Sequence, residues 1–138
     1  MPERAFADYL RSSLAQIERD VPAIHDLVRR CLGRLALRIE VDAEAVTVRD
    51  DGARLAIGSE AEADVVARTG RRAIVALVDG ELSLEEAVSR GDVDLVGEVG
   101  HLLAGLDALV AYLNGAARCP ELLDLMDEFR RDTEARAG

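Results

Sequence analysis

Ser83 is the residue that most invites a chemical reading. A serine becomes a nucleophile only with a base in hydrogen-bond reach, and Glu86 stands three positions on. That spacing is also the one a capping box needs, in which hydroxyl and carboxylate each satisfy an amide at a helix start; we read Ser83 as that cap. Glu85 and Glu86 fall together in the first helical turn, where carboxylates suit the helix dipole, not in the separated environments that acid–base work requires. Asp92 and Asp94 alternate with Val93 and Leu95, so they share one face of a strand. They could take a cation, but the arrangement is that of the wet side of an edge strand. His101 could act as a base, yet its pattern places it on a helix surface, and His25 stands alone. Cys31 and Cys119 lie far apart with no CxxC, so spacing assembles no tetrahedral metal site. The chain has no G-x-S-x-G, H-E-x-x-H, G-x-G-x-x-G or P-loop pattern. The expectation is a non-enzymatic protein with no cofactor and no metal; a small cofactor-free isomerase or cyclase using His101 or an acidic pair is the enzymatic alternative.

Composition narrows the partners. With 17 basic and 27 acidic residues the formal charge is -10. Nucleic acid is excluded as a partner because affinity for it comes from clustered cations, and anionic membrane surfaces are disfavoured likewise. Every basic residue is Arg and none is Lys; this removes Schiff-base and pyridoxal chemistry and suggests a GC-rich, bacterial coding bias. Phe6, Tyr9, Tyr112 and Phe129 are the only aromatics, too few for a stacking platform. The chain shows no signal-peptide-like start and no run of about 18 apolar residues, so the expectation is a cytoplasmic protein that is not integral to a membrane.

These residues must be carried by one domain of 138 residues. Glu3 to Glu18 reads as an amphipathic helix with Phe6, Leu10, Ser13/Leu14 and Ile17 on one side. A second follows from Pro22, which suits a first helical turn, with Ile24, Leu27, Val28, Cys31 and Leu32 as its stripe. The period then changes to two. Leu35 to Val41, Val46 with Val48, and Leu55 with Ile57 read as strands, with Asp50-Asp51-Gly52 as a turn; further strands fall at Asp64–Arg68 and at Asp92–Gly97. Arg71–Val78 reads as a short buried helix, and Leu84, Ala87 and Val88 give the helix after Ser83 its inner face. We divide the domain into helices over 1–34, a core over 35–117, and a terminal amphipathic helix with a frayed tail over 118–138. That last helix starts near Pro120, and its tail frays from Thr133.

The segment Val99–Ala117 is the most informative. Val99, Leu102, Leu103, Leu106, Leu109, Val110 and Leu113 form an apolar stripe. The opposite side, His101, Ala104, Gly105, Ala108, Tyr112 and Gly115, is nearly uncharged. A solvated helix face would carry charge, so this side is expected to be covered too, by the final helix or by a second subunit.

The stretch from Ala76 to Glu98 resembles the sterol carrier protein 2 family. In that family a short helix leads to a G-E-L-(D/S)-x-x-x-A sequence, a break at Gly, and a strand ending in Gly-Asp. Gly80, Glu81, Leu82, Ala87, Gly91 and Gly97 hold those places here, with Glu98 where Asp is usual. The upstream strand meander with its Asp51-Gly52 turn is similar, so that the resemblance covers Leu35 to Leu113. It implies an α+β fold, with a five-stranded, mainly antiparallel sheet covered by helices on one face. It also implies that an apolar small molecule or lipid is held in a tunnel between sheet and helices. On that basis the expected lining is Ile74, Leu77, Val78, Leu84, Val88, Leu102, Leu103, Leu106, Leu109 and Met126. A ligand cavity is typically ~300 Å³ or more; empty, it would cost ~7 kcal/mol at ~24 cal/mol per Å³, so such a pocket collapses or carries a ligand. The competing expectation is an accessory module that pairs with a partner protein, or with itself as a homodimer, through the Val99–Ala117 helix.

Overall fold

The chain opens on two consecutive helices, α1 (Phe6–Asp20) and α2 (Pro22–Leu32), joined through Val21, in a computed structural model that describes residues 4–137. The expected start of α1 at Glu3 lies outside the described residues. Along α1 the buried side chains are Phe6, Tyr9, Leu10, Ser13, Leu14 and Ile17, so the inner stripe is the expected one widened by Tyr9. Pro22 occupies the first turn of α2, and Gly33, at φ 58°, ends it in the left-handed region that glycine enters without penalty.

Five strands follow: β1 (Leu37–Val41), β2 (Glu44–Asp50), β3 (Leu55–Gly58), β4 (Val65–Thr69) and β5 (Asp94–Gly97). They form one sheet in the order β3-β2-β1-β4-β5. The β1–β2, β2–β3 and β4–β5 pairs are antiparallel, whereas β1 and β4 run parallel with Leu37 opposite Val65. The sheet is therefore mixed and mostly antiparallel. Three strands start later than the alternation predicts, β4 by one residue and β1 and β5 by two; in β1 and β5 the early amides are already used. Leu35 N–H donates to the Leu32 carbonyl, and both Asp92 and Val93 N–H donate to Ala87 at the end of a helix.

Between β4 and β5 lie α3 (Arg71–Val78) and α4 (Leu84–Arg90); after them come α5 (Val99–Ala117), one 3-10 turn over Pro120–Leu122, and α6 (Leu123–Ala137). The capping box at Ser83 is complete, with Glu86 N–H donating to Ser83 Oγ at 3.1 Å and Ser83 N–H to Glu86 Oε1 at 3.2 Å. α6 does not fray at Thr133: that residue is buried and its hydroxyl donates to the Phe129 carbonyl at 2.8 Å.

One face of the sheet, bearing Leu37, Val41, Val46, Val48, Val65 and Ala67, is buried with Leu10, Val28, Leu32 and Ala108 of the helices. The other face is polar: Glu40 there accepts from Arg38 Nε at 3.0 Å and Arg68 Nε at 2.9 Å, and Thr47 is buried with its hydroxyl donating to the Glu60 carbonyl.

Helix α5 reverses the sequence expectation. Its buried residues are Gly105, Ala108, Ala111, Gly115 and Ala116, so the small side is the inner one, and it docks on α2 and the sheet of the same chain, not under the final helix or a second subunit. The bulky stripe faces partly outward, with Val99 75% and Leu103 59% exposed. The reason is distance. A Cβ on Gly115 would stand 2.5 Å from Ile24 Cγ2, and one on Gly105 3.1 Å from Val65 Cγ1; backbones can approach that closely only where side chains are absent. By length and composition α5 also suffices to cross a membrane, with a mean hydropathy of 1.2 over 18 residues, which the sequence reading did not anticipate. Here its small face is instead spent on α2 and β4.

Candidate functional site

Between the inner sheet face and the helices there is a cavity of about 130 Å³. The sheet supplies Leu37, Ile39, Val48, Leu55, Ala67 and Thr69. From α1 and α2 come Phe6, Leu10, Leu14, Val28 and Leu32, and from α5 Ala108, Leu109, Tyr112 and Leu113. The remaining wall is Ile74, Leu77 and Val78 of α3, with Leu84 and Val93. A recess of about 60 Å³ adjoins it, sharing Phe6, Leu10, Ile74, Val78 and Tyr112 and reaching on to Ser13, Leu125 and Met126. On the surface, a groove of about 930 Å³ runs between the start of α4 and the C-terminal end of α5, with Leu123 and Met126 on its far bank.

Five of the ten expected lining residues meet at the cavity: Ile74, Leu77, Val78, Leu84 and Leu109. Met126 lines the recess and the groove. Leu106 packs in a separate cluster with Leu82, Leu84, Ala87 and Val93, and Leu102 packs half-buried against the main core. Leu103 and Val88 are exposed. The sequence reading passed over the two N-terminal helices and the sheet as walls. Their stripes were visible in the sequence, and what was missing was the knowledge that both face one space.

The space is almost wholly hydrocarbon, so its few polar groups matter. Ser13 Oγ donates to the Leu10 carbonyl at 2.9 Å and lies 2.6 Å from the Tyr112 hydroxyl. Burial raises the Tyr112 hydroxyl above the ordinary phenol range, against a smaller lowering from Ser13, so it stays neutral. Thr69 Oγ1 donates to the Asp92 carbonyl at 2.9 Å.

Behind the Tyr9 and Phe129 rings that line the recess lies an ion-pair cluster centred on a buried arginine. Arg71 is 2% exposed; its guanidinium donates to Asp132 at 3.1 Å, Glu44 at 2.9 Å and the Arg4 carbonyl at 3.2 Å. It also lies over the ring of Phe129 at 5.1 Å. Glu44 in turn accepts the Phe6 N–H at 2.9 Å. Burial pushes the Glu44 carboxyl up, but the Phe6 amide and Arg71 outweigh it and hold it below the usual range. One residue thus ties the start of α1, β2, α3 and α6 together around the aromatic wall.

The candidate reactive residues stay apart. His101 is half-buried near Glu98 at 3.8 Å, and His25 is buried against α1 and Glu18. Cys119 is buried and donates through Sγ to Asp20 at 3.1 Å; burial first, then Asp20, push the thiol up to about 11. Glu121 adds a second carboxylate nearby, but both carboxylates face solvent.

Comparison with known structures decides the architecture. The ubiquinone synthesis protein UbiJ-SCP2 superposes with a TM-score of 0.61 at 20% identity, over 86% of this chain and 99% of that one. Sterol carrier protein domain 2 of Helicoverpa armigera gives 0.57 at 16% identity, over 80% and 87%. A crystal structure of sterol carrier protein 2 gives 0.55 at 19% identity, over 81% and 95%. The chain has the sterol carrier protein 2 fold. No family sequence model matches the chain, and no curated protein matches it by sequence. In this chain the cavity lies between the sheet and its covering helices, and Gly91 ends α4 ahead of β5.

Proposed function

We propose that this protein binds and carries an apolar small molecule or lipid, without covalent chemistry, in the space between sheet and helices. The observation that supports this best is the cavity itself: an unfilled hydrocarbon space in the middle of the main core. At about 130 Å³, leaving it empty costs about 3 kcal/mol, a large share of a domain's stability of ~5–15 kcal/mol. Selection for packing alone would remove such a void. The volume matches a six-carbon ring, since a cavity of roughly 150 Å³ takes benzene; a longer molecule would extend into the adjoining recess, between α1 and α6. The fold is shared with proteins named as sterol carriers, which favours the same reading.

Mass spectrometry of an organic extract of the natively purified protein, beside its native mass, tests the proposal. A stoichiometric apolar molecule supports it. A protein that is ligand-free and takes up no hydrocarbon probe on titration refutes it.

A second reading is an interaction module. The outward face of α5, with Val99 and Leu103 exposed, favours a protein partner or a second copy there. Sedimentation of the purified chain and of Leu103→Glu separates these: an assembly that the substitution dissolves supports the surface, and a concentration-independent monomer counts against self-pairing.

A further inference from the structure

We infer that the hydroxyls lining the space accept hydrogen bonds at Tyr112 and donate none, and so select an apolar molecule whose end at Tyr112 carries a neutral donor, a hydroxyl or N–H. The inference rests on the cavity reading above and adds the polarity of the occupant. It follows from counting hydroxyl hydrogens. Thr69 and Tyr112 are the hydroxyl-bearing residues of the larger cavity. Thr69 spends its hydrogen on the Asp92 carbonyl. Ser13 has one hydroxyl hydrogen, and the Leu10 carbonyl at 2.9 Å takes it. The 2.6 Å contact between Ser13 and Tyr112 must then be filled by the Tyr112 hydrogen. The phenol oxygen is left with an open lone pair at the junction of cavity and recess, the walls of both of which include Tyr112.

Of the donors nearby, Arg71 Nε has no partner but belongs to neither wall; the others are committed elsewhere. The Tyr9 hydroxyl points to Asp132 at 3.4 Å. Arg130, part-exposed at the edge of the recess, is held between Asp79 and Asp127. A ligand hydroxyl placed at Tyr112 would regain the hydrogen bond it gives up in water. A carbonyl or carboxylate there would meet lone pairs and lose its hydration uncompensated.

Two isosteric probe pairs test this: phenol against toluene, and anisole against ethylbenzene, titrated into the full chain by calorimetry or ligand-observed NMR. Comparing each ratio between variants cancels the different hydration of the probes. In Tyr112→Phe the phenol-to-toluene affinity ratio should fall about five- to tenfold, the worth of one hydrogen bond, with toluene affinity and the anisole-to-ethylbenzene ratio unchanged. In Ser13→Ala the Tyr112 hydrogen is released into the space, and the anisole-to-ethylbenzene ratio should rise by a similar factor. Toluene binding in each variant shows that the cavity is intact. If toluene binds but the phenol ratio does not move in Tyr112→Phe, or the anisole ratio falls there, the inference is overturned while the cavity reading stands. If neither toluene nor phenol binds the wild type, the cavity reading fails and takes this one with it.

Discussion

Filling the cavity should make the protein more stable and less able to bind. Ala108 is the position of choice: it is 2% exposed, on the inner face of α5, and lines the space directly. Leucine there keeps good helix propensity and adds three carbons to a void of about 130 Å³. Each buried carbon contributes ~0.8 kcal/mol, giving ~2.4 kcal/mol as an upper bound. Imperfect fit takes back part of this, since forcing atoms into a packed core costs ~1–3 kcal/mol and a void relieves most of that strain. A net gain of about 1 kcal/mol is expected, read as a rise of roughly 3 °C in the thermal midpoint for a chain of this size. Toluene affinity should drop at least tenfold in the same sample. Thermal unfolding followed by circular dichroism, paired with probe titration, makes both measurements. The sign carries the test, because in a filled core Ala108→Leu would be destabilising. A lowered midpoint together with unchanged toluene binding would show that the space is not where the binding occurs.

Further outcomes are expected elsewhere in the fold. Gly115→Ala should lower stability by about 1–2 kcal/mol in urea unfolding despite alanine's ~1 kcal/mol advantage inside a helix, because its Cβ meets the stiff β-branched side chain of Ile24; an increase would refute the close packing of α2 on α5. Arg71→Leu should cost about 3 kcal/mol by leaving Glu44 and Asp132 buried without their cation. That deficit should shrink in acid: the folded Glu44 carboxyl lies below its usual range, so its stabilisation is present above the ordinary glutamate value and is lost as pH falls through the lower folded one. A deficit constant from pH 7 to 3 would contradict the pairing. Cys119, its thiol pushed up to about 11, should resist iodoacetamide at pH 8 in the native protein and react once urea unfolds it; rapid native labelling would refute its burial against Asp20.

The local signals of the sequence carried far. The Ser83–Glu86 capping box, Pro22 at a helix start, the Asp51-Gly52 turn and the bounds of α3 each depend on a few neighbouring residues, and each stands where that chemistry puts it. What failed was inference from bulk. On α5 a hydrophobic pattern picks out the leucines and valines as the inner stripe because side-chain size dominates it, whereas the interface with α2 and β4 is built from residues with almost no side chain. The same bias turned attention to Leu103 and away from Ala108 and Tyr112 as neighbours of the cavity. Arg71 was illegible for another reason. Its burial depends on two carboxylates 27 and 61 positions away, and no local pattern marks an arginine that will find partners so distant.

The parallel pairing of β1 with β4 has a consequence for how the chain reaches this state. Leu37 meets Val48 across a short hairpin, but its other neighbour, Val65, is 28 positions on and can join only after the β2–β3 arm has been looped out. Contacts between distant residues charge their loop entropy before they return any stabilisation, so they form late. Val65 is also the residue on which Gly105 seats α5, and Ala67, one step along the same strand face, walls the cavity. Loop entropy thus favours a meander that pairs before β4 joins it and α5 seats on β4. The cavity, walled by both β4 and α5, is complete only once these distant contacts are made.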